Sequence, residues 1–335
     1  SIHCRANAYL NSAWPHGHRV EYMKNVESVT ITHLKLFFVA ATWGAAWSAG
    51  RWLALDLPPI TGAWLRYLIA VPLFIFWLFW AEGKVIPTRE EWKSIALIGF
   101  FSAFLYQVFF MFGMVYTAAG DASLVITFNP LFTALLAIPF LGRTLTRRLG
   151  GGLALGIAGI AVIFSQSPNI SIPKDERMLG DGLIAIAAFC WACATILLKR
   201  MMSKTAPNSE TPMSPLAITV WSSTIGLAFL TPWTGYETIQ YGLPSIGFWT
   251  WISISFLAVF STVISYVWFA NGVEKIGASQ AALYVYLVPP FGILSGWLLL
   301  DESLGWALPL SFVLIVGGVV LASSETAAKT SSYSQ

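Results

Sequence analysis

Arg66 is the one unambiguous charge within a long apolar run of this sequence, the others lying towards the ends of their runs. An ionisable side chain in apolar surroundings is expensive and needs a partner. Two roles fit: a counter-charge for the carboxylate of a bound molecule, or a structural tie to backbone carbonyls or to an interface reached by snorkelling. Hydrogen-bonding side chains interrupt other apolar runs at Tyr106, Gln107, Thr127 and Asn129, and again at Ser265, Tyr266, Tyr284 and Tyr286. Polar groups that converge in an apolar cavity are what a binding site for a small molecule requires, although single Tyr and Trp residues also belong to interfacial belts. Trp43 and Trp47 lie four apart, hence on one helix face, and with Trp191 they could wall such a site by stacking. Core packing would use the same three residues.

Other letter patterns carry no chemistry. Cys190-Trp-Ala-Cys193 has C-x-x-C spacing but lies within an apolar run, where nothing would generate a thiolate. Gly150-Gly151-Gly152 lacks the Lys-Ser/Thr that completes a phosphate loop, and His16-Gly-His18 is too short for a metal site. No nucleophile stands with a base, so neither an enzyme nor a cofactor is implied, and there is no metal ligand set. Nucleic acid is not an expected partner, since no basic stripe is present.

The elements that hold these residues follow from composition. The chain has 335 residues, 56% of them hydrophobic and only 10% charged, with a mean hydropathy of +0.68. A soluble domain carries about a quarter charged residues. Apolar runs recur near 34–54, 58–80, 92–116, 121–141, 145–164, 180–199, 214–231, 247–271, 278–299 and 304–322. Each is long enough, at roughly 1.5 Å per residue, to cross a hydrocarbon layer of about 30 Å. The expected fold class is an all-α integral membrane protein with ten transmembrane helices.

Charge sets the expected orientation. With ten spans both termini share one side, and that side collects Lys84, Arg89 and Lys93, then Arg143, Arg147 and Arg148, then Lys199, Arg200 and Lys204. The opposite side has only Arg51, Lys174 and Arg177. Excess Lys and Arg marks the cytoplasmic side, so both termini are expected there, in a plasma (inner) membrane. The expected organisation is a disordered head over 1–30, helices over 31–165, an external linker over 166–178, helices over 179–322 and a cytoplasmic tail over 323–335. The head has no apolar core of a signal peptide, and a start at Met23 is as compatible with it as a real extension.

An internal repeat is the most informative feature. The stretch from Thr117, TAAGDASLVITFNPLFTALLAIPFLGR, aligns without gaps on IGASQAALYVYLVPPFGILSGWLLLDE from Ile276, pairing Ala122 with Ala281, Pro130 with Pro289 and Leu141 with Leu300. At a shorter offset, Trp43–Arg51 (WGAAWSAGR) matches Trp191–Lys199 (WACATILLK). Five spans are duplicated, and because five is odd the second copy enters the membrane from the opposite side. Inverted repeats of this kind are the architecture of secondary transporters, with the substrate near the midplane between halves. The repeat pairs Gln107 with Tyr266, Tyr106 with Ser265 and Thr127 with Tyr286. Pro130 and Pro289 each remove a backbone hydrogen bond inside a fourth span and are expected as hinges at the cavity wall. Pairs of small residues, Thr133 with Ala137, Gly152 with Gly156 and Gly292 with Gly296, permit close helix contact.

On these residues, the Trp-Gly opening helix ending in a base, the Arg66-Tyr67 step and the paired Pro-Leu-Phe and Pro-Pro-Phe segments, the chain resembles the drug/metabolite transporter superfamily, EamA type. The resemblance covers about residues 30–322. One departure is plain: family halves often end the fourth span in Gly-Glu, whereas here the first half has Gly142-Arg143 and the second Asp301-Glu302. The resemblance implies efflux or exchange of small metabolites such as amino acids, aromatic ones included, by a carrier with no partner beyond substrate and lipid, expected as a monomer. Alternatives are a nucleotide-sugar, phosphorylated-metabolite or drug carrier of the same superfamily, for which Arg66 alone is a thin phosphate site, and a membrane scaffold, which would not need the duplication. No Asp, Glu or His sits at the middle of a span; Asp121, Glu274, Asp301 and His33 lie near ends, which disfavours a proton relay and favours uncoupled exchange.

Overall fold

The computed structural model describes residues 16–205 and 213–332, with side-chain surroundings for 29–202 and 213–323 except 278 and 279. Nine described helices are long and apolar enough to span a membrane: Val29–Asp56, Pro59–Glu82, Arg89–Tyr116, Ala119–Leu141, Arg147–Gln166, Lys174–Met202, Pro215–Tyr241, Phe248–Ile276 and Gln280–Leu300. A shorter apolar helix, Ala307–Ser323, follows. These are spans 1 to 10 below, and they lie where the hydropathy pattern puts them.

Local chemistry explains the ends. Pro59 opens span 2 at a position whose N–H would be unused, and Gly83, at φ 78°, closes it. Thr88 and Glu91 form a reciprocal capping box at the start of span 3. The side chains of Thr146 and Ser214 accept from the backbone N–H three residues on, at the starts of spans 5 and 7. Span 7 runs ten residues past its expected end at 231, through Pro232 to Tyr241. Its last turns stay helical because Glu237, buried at 3% exposure, reaches the first turn of span 2 and accepts from the N–H of Ile60 (3.1 Å) and Thr61 (2.7 Å). The first helix begins at His16, inside the segment expected as a disordered head, and the last continues to Ser332, inside the expected tail. Cys4 lies outside the described residues.

Close helix contact occurs where small residues allow it. A side chain on Gly152 would collide with the backbone of Gly318, which joins span 5 to span 10, and one on Gly44 would strike Phe291 of span 9. Gly292 meets Ser123 of span 4 in the same way.

Both halves depart from regular α-helix at matched places. Span 3 contains a π-helical segment, Phe100–Leu105, and span 8 contains another, Phe256–Ile264. They end immediately before Tyr106 and before Ser265. Span 4 passes through a 3-10 turn at Ile126–Phe128 just ahead of Pro130, and span 9 is interrupted between Val285 and Val288, just ahead of Pro289. Such interruptions free carbonyls that only protein or an internal cavity can satisfy within a bilayer.

Candidate functional site

The π segment of span 8 is anchored by the other half. Trp43 of span 1 donates its indole N–H to the carbonyl of Ser261 (3.0 Å), and Arg66 of span 2 donates from Nε and Nη2 to Thr262 Oγ1 (3.1 and 2.8 Å). Thr262 donates its own hydroxyl hydrogen bond to the Leu257 carbonyl five residues back. Thr42 and Ser265 share a hydrogen bond of 2.8 Å one turn away. Arg66 therefore has protein partners in this state, and its guanidinium lies 6.0 Å from the ring centre of Tyr67.

Around this anchor an aromatic ring closes across the two halves. Trp43 stands 5.9 Å from Tyr266, and Trp191 stands 5.3 Å from Tyr106 and 6.4 Å from Tyr266. The repeat pairs Trp43 with Trp191 and Tyr266 with Gln107, so the residue that meets Trp191, Tyr106, stands one position before the counterpart of the residue that meets Trp43. Trp43, Arg66, Tyr106, Trp191 and Tyr266 remain partly accessible although they converge from spans 1, 2, 3, 6 and 8. Gln107, which follows Tyr106 in span 3, is buried at 2% exposure; its amide N–H donates to Tyr67 Oη at 3.3 Å, and its carbonyl oxygen has no donor. A buried acceptor left open is costly unless something that binds there donates to it.

Not every expected residue joins this ring. Trp47 is buried behind it, 5.3 Å from Phe110, which stacks on Tyr106. Thr127 donates to the Ser123 carbonyl in its own helix, and Asn129 accepts from Thr133 one turn on. Tyr284 pairs with His33 at 2.7 Å towards the end of the bundle that holds the termini. Tyr286 packs with the Phe128, Leu131 and Val319 cluster, away from the ring. The structure adds Tyr67 and Thr262, which no spacing singles out.

A second polar assembly lies at the opposite end of the bundle, called here the distal end. Glu302, after span 9, accepts from the N–H of Ala119 (2.6 Å) and Gly120 (2.9 Å) at the start of span 4, and its Oε1 lies 3.8 Å from Arg51 Nε at the end of span 1. Arg51 also donates to the carbonyls of Met114 and Thr117. Asp121 accepts from Ser167 and from Asn169 Nδ2 (3.1 Å) and lies 3.8 Å from Arg177 Nε. Asn169 in turn accepts from the N–H of Ser303 at 2.8 Å, and Thr117 donates its hydroxyl to Asp181. Glu302 lies outside the spans, and burial pushes its carboxyl above the ordinary glutamate range against the two N–H groups and Arg51.

The fold and its two matched sets of helix interruptions define a polytopic helical membrane protein made of two inverted five-helix repeats. The family model of the EamA-like transporter family matches residues 30–165 and 178–324, one segment per repeat, and the chain belongs to that family. It is 30% identical, over 84% of its length and 91% of the relative's, to an Escherichia coli K12 protein described as a "probable amino-acid metabolite efflux pump". It is 26% identical to an uncharacterized transporter of Archaeoglobus fulgidus, over 88% of this chain and 98% of that one. A crystal structure of a protein 18% identical in sequence superposes with a TM-score of 0.57, covering 89% of this chain and 96% of that one, and shares the fold.

Proposed function

We propose that this transporter moves amino acids or closely related metabolites, outward or in exchange, by alternating access at the ring formed by Trp43, Arg66, Tyr106, Gln107, Trp191 and Tyr266. The observation that carries the reading is the buried, open carbonyl of Gln107, whose amide N–H meets Tyr67, the residue that Arg66 faces at 6.0 Å, on the span whose Tyr106 joins the aromatic ring contributed by both halves. A zwitterion offers an ammonium donor for Gln107 and a carboxylate for Arg66, and Trp43 and Trp191 offer stacking surface for its side chain. The E. coli relative, described as a probable amino-acid metabolite efflux pump, supports the same substrate class. The chain acts as a carrier and not as an enzyme, spans the plasma (inner) membrane with both termini in the cytoplasm, and uses the breaks at Pro130 and Pro289 as hinges.

Counterflow of labelled neutral and aromatic amino acids into liposomes carrying the purified protein tests this. Saturable exchange that Gln107→Ala and Tyr266→Ala each reduce at least tenfold, with the protein still folded in the membrane, is the expected result. Normal rates in both variants would remove the site assignment, and no exchange of any amino acid would remove the substrate class.

A further inference from the structure

The distal assembly contains three carboxylates and two guanidiniums, all buried or nearly so. Asp121 and Asp181 are at 0% exposure and Arg177 at 4%; the side chains of Arg51 and Glu302 are at 13% and 10%. Two of the carboxylates have cationic partners, Glu302 with Arg51 and Asp121 with Arg177. Asp181 has none within salt-bridge distance. Its Oδ1 accepts the Thr117 hydroxyl, and its Oδ2 has no hydrogen-bond partner. The charged groups that face it are Asp121, whose effect is repulsive, and Arg177, whose Nη1 is held by the Asn169 carbonyl at 3.1 Å. Arg51, Glu302 and Arg177 face Asp121 in turn. A desolvated carboxylate with no cation at salt-bridge distance and one oxygen unpartnered cannot keep its charge cheaply, and the inexpensive remedy is a proton.

We propose that Asp181 is a proton-binding site at the distal end of the bundle, holding a proton while that end is shut and releasing it to water when the end opens. The groups that close the site come from both repeats. Arg51, Thr117 and Asp121 belong to the first half, Asp181, Glu302 and Ser303 to the second, and Ser167, Asn169 and Arg177 to the linker between them. Opening this end must separate the two sets and admit water, which restores the hydration that lets Asp181 ionise. Protons from bulk water then favour the shut state and their loss favours the open one. The site makes the proton a coupling ion for the carrier, and that coupling role rests on the proposed function; the proton-binding site itself does not.

Infrared spectroscopy of the full-length protein in liposomes at neutral pH tests the site without any substrate. The expected result is a protonated-carboxyl C=O band that shifts when the protein is made with aspartate labelled at its side-chain carboxyl carbon, and that disappears in Asp181→Asn. The labelled wild type keeps the test decisive if that variant does not fold. Absence of the band at neutral pH, or a band that ignores the label and vanishes in Glu302→Gln, would overturn the proposal. Failure of amino-acid counterflow with the band present would strike the substrate reading alone.

Discussion

The two ends of this bundle are built from the same plan and carry opposite electrostatics. At the distal end Arg51, Glu302 and the first N–H groups of span 4 form an attractive triad. The repeat places Lys199, Arg143 and the helix starting at Ala278 in the corresponding positions at the other end. There the equivalent of the carboxylate is a cation, and Arg143 repels Lys199. Under the alternating access proposed above, an inverted repeat with identical halves would weight its two end states equally, and this substitution of sign is expected to weight the state in which the distal end is shut.

The largest expected effect comes from breaking the attractive end. Glu302→Ala leaves the Arg51 guanidinium without its counter-charge and two buried helix N–H groups without an acceptor. Removing one partner of a buried pair costs about 3–5 kcal/mol. Arg143→Ala touches an exposed position, where about 0.5 kcal/mol is the ordinary scale. Thermal and denaturant unfolding of both variants in the same detergent checks the contrast. Equal losses would show that the distal triad is not special.

Next in size is the pH dependence that belongs to Glu302. Its carboxyl is raised by burial, so the folded chain binds this proton more tightly than the unfolded chain does. The contribution to stability is complete below the ordinary glutamate value of about 4.3 and is lost as pH rises through the elevated folded value. Glu302→Gln removes that contribution, so its unfolding midpoint should depend less on pH over that window than wild type. A profile parallel to wild type would show that other groups set the dependence.

The comparison can also be sharpened from the repulsive end. Arg143→Glu sets an anion opposite Lys199 and gives the end near the termini the same sign pattern as the distal one. Both positions are exposed, so the gain is on the scale of a surface pair, about 0.2–1 kcal/mol. That corresponds to a shift of roughly 1.4- to 5-fold in the ratio of end states. Labelling of a cysteine introduced at Ala118, which is buried beside the distal triad, should rise by that factor in the variant.

How much of this was legible in the letters follows from what each signal encodes. Span positions were, because apolar length is a property of composition, and so was the repeat, because paired prolines and small residues survive in the alphabet. Trp43, Arg66, Gln107, Trp191 and Tyr266 could be picked out as polar or aromatic interruptions, and the structure brings them together. Thr127, Asn129, Tyr284 and Tyr286 passed the same filter yet sit elsewhere, since helical rotation near the interrupted fourth and ninth spans depends on a local backbone that periodicity does not report. The π segments have no sequence signature. Asp121 looked like an ordinary span end and Asp181 was not singled out; the linker residues Ser167 and Asn169 that hydrogen-bond to Asp121, and Thr117 that hydrogen-bonds to Asp181, meet them only through tertiary packing.

The smallest expected effect concerns the residue beside the triad. Asp301 has φ 54° and is the one non-glycine in the left-handed region among the described residues. It occupies the helix C-cap that Gly142 fills in the other half at φ 66°. An L side chain in that region is disfavoured by steric contact with the backbone, and aspartate tolerates it better than most. Asp301→Gly should therefore stabilise the chain by about 0.5 kcal/mol, and Gly142→Asp should destabilise it by a similar amount. The pair of opposite signs separates a backbone cause from a charge cause, because both positions are exposed and a charge effect would follow the local sign at each end. If Asp301→Gly instead destabilises, the Asp301 carboxylate contributes to the distal network, and the asymmetry between the ends extends over two residues and not one.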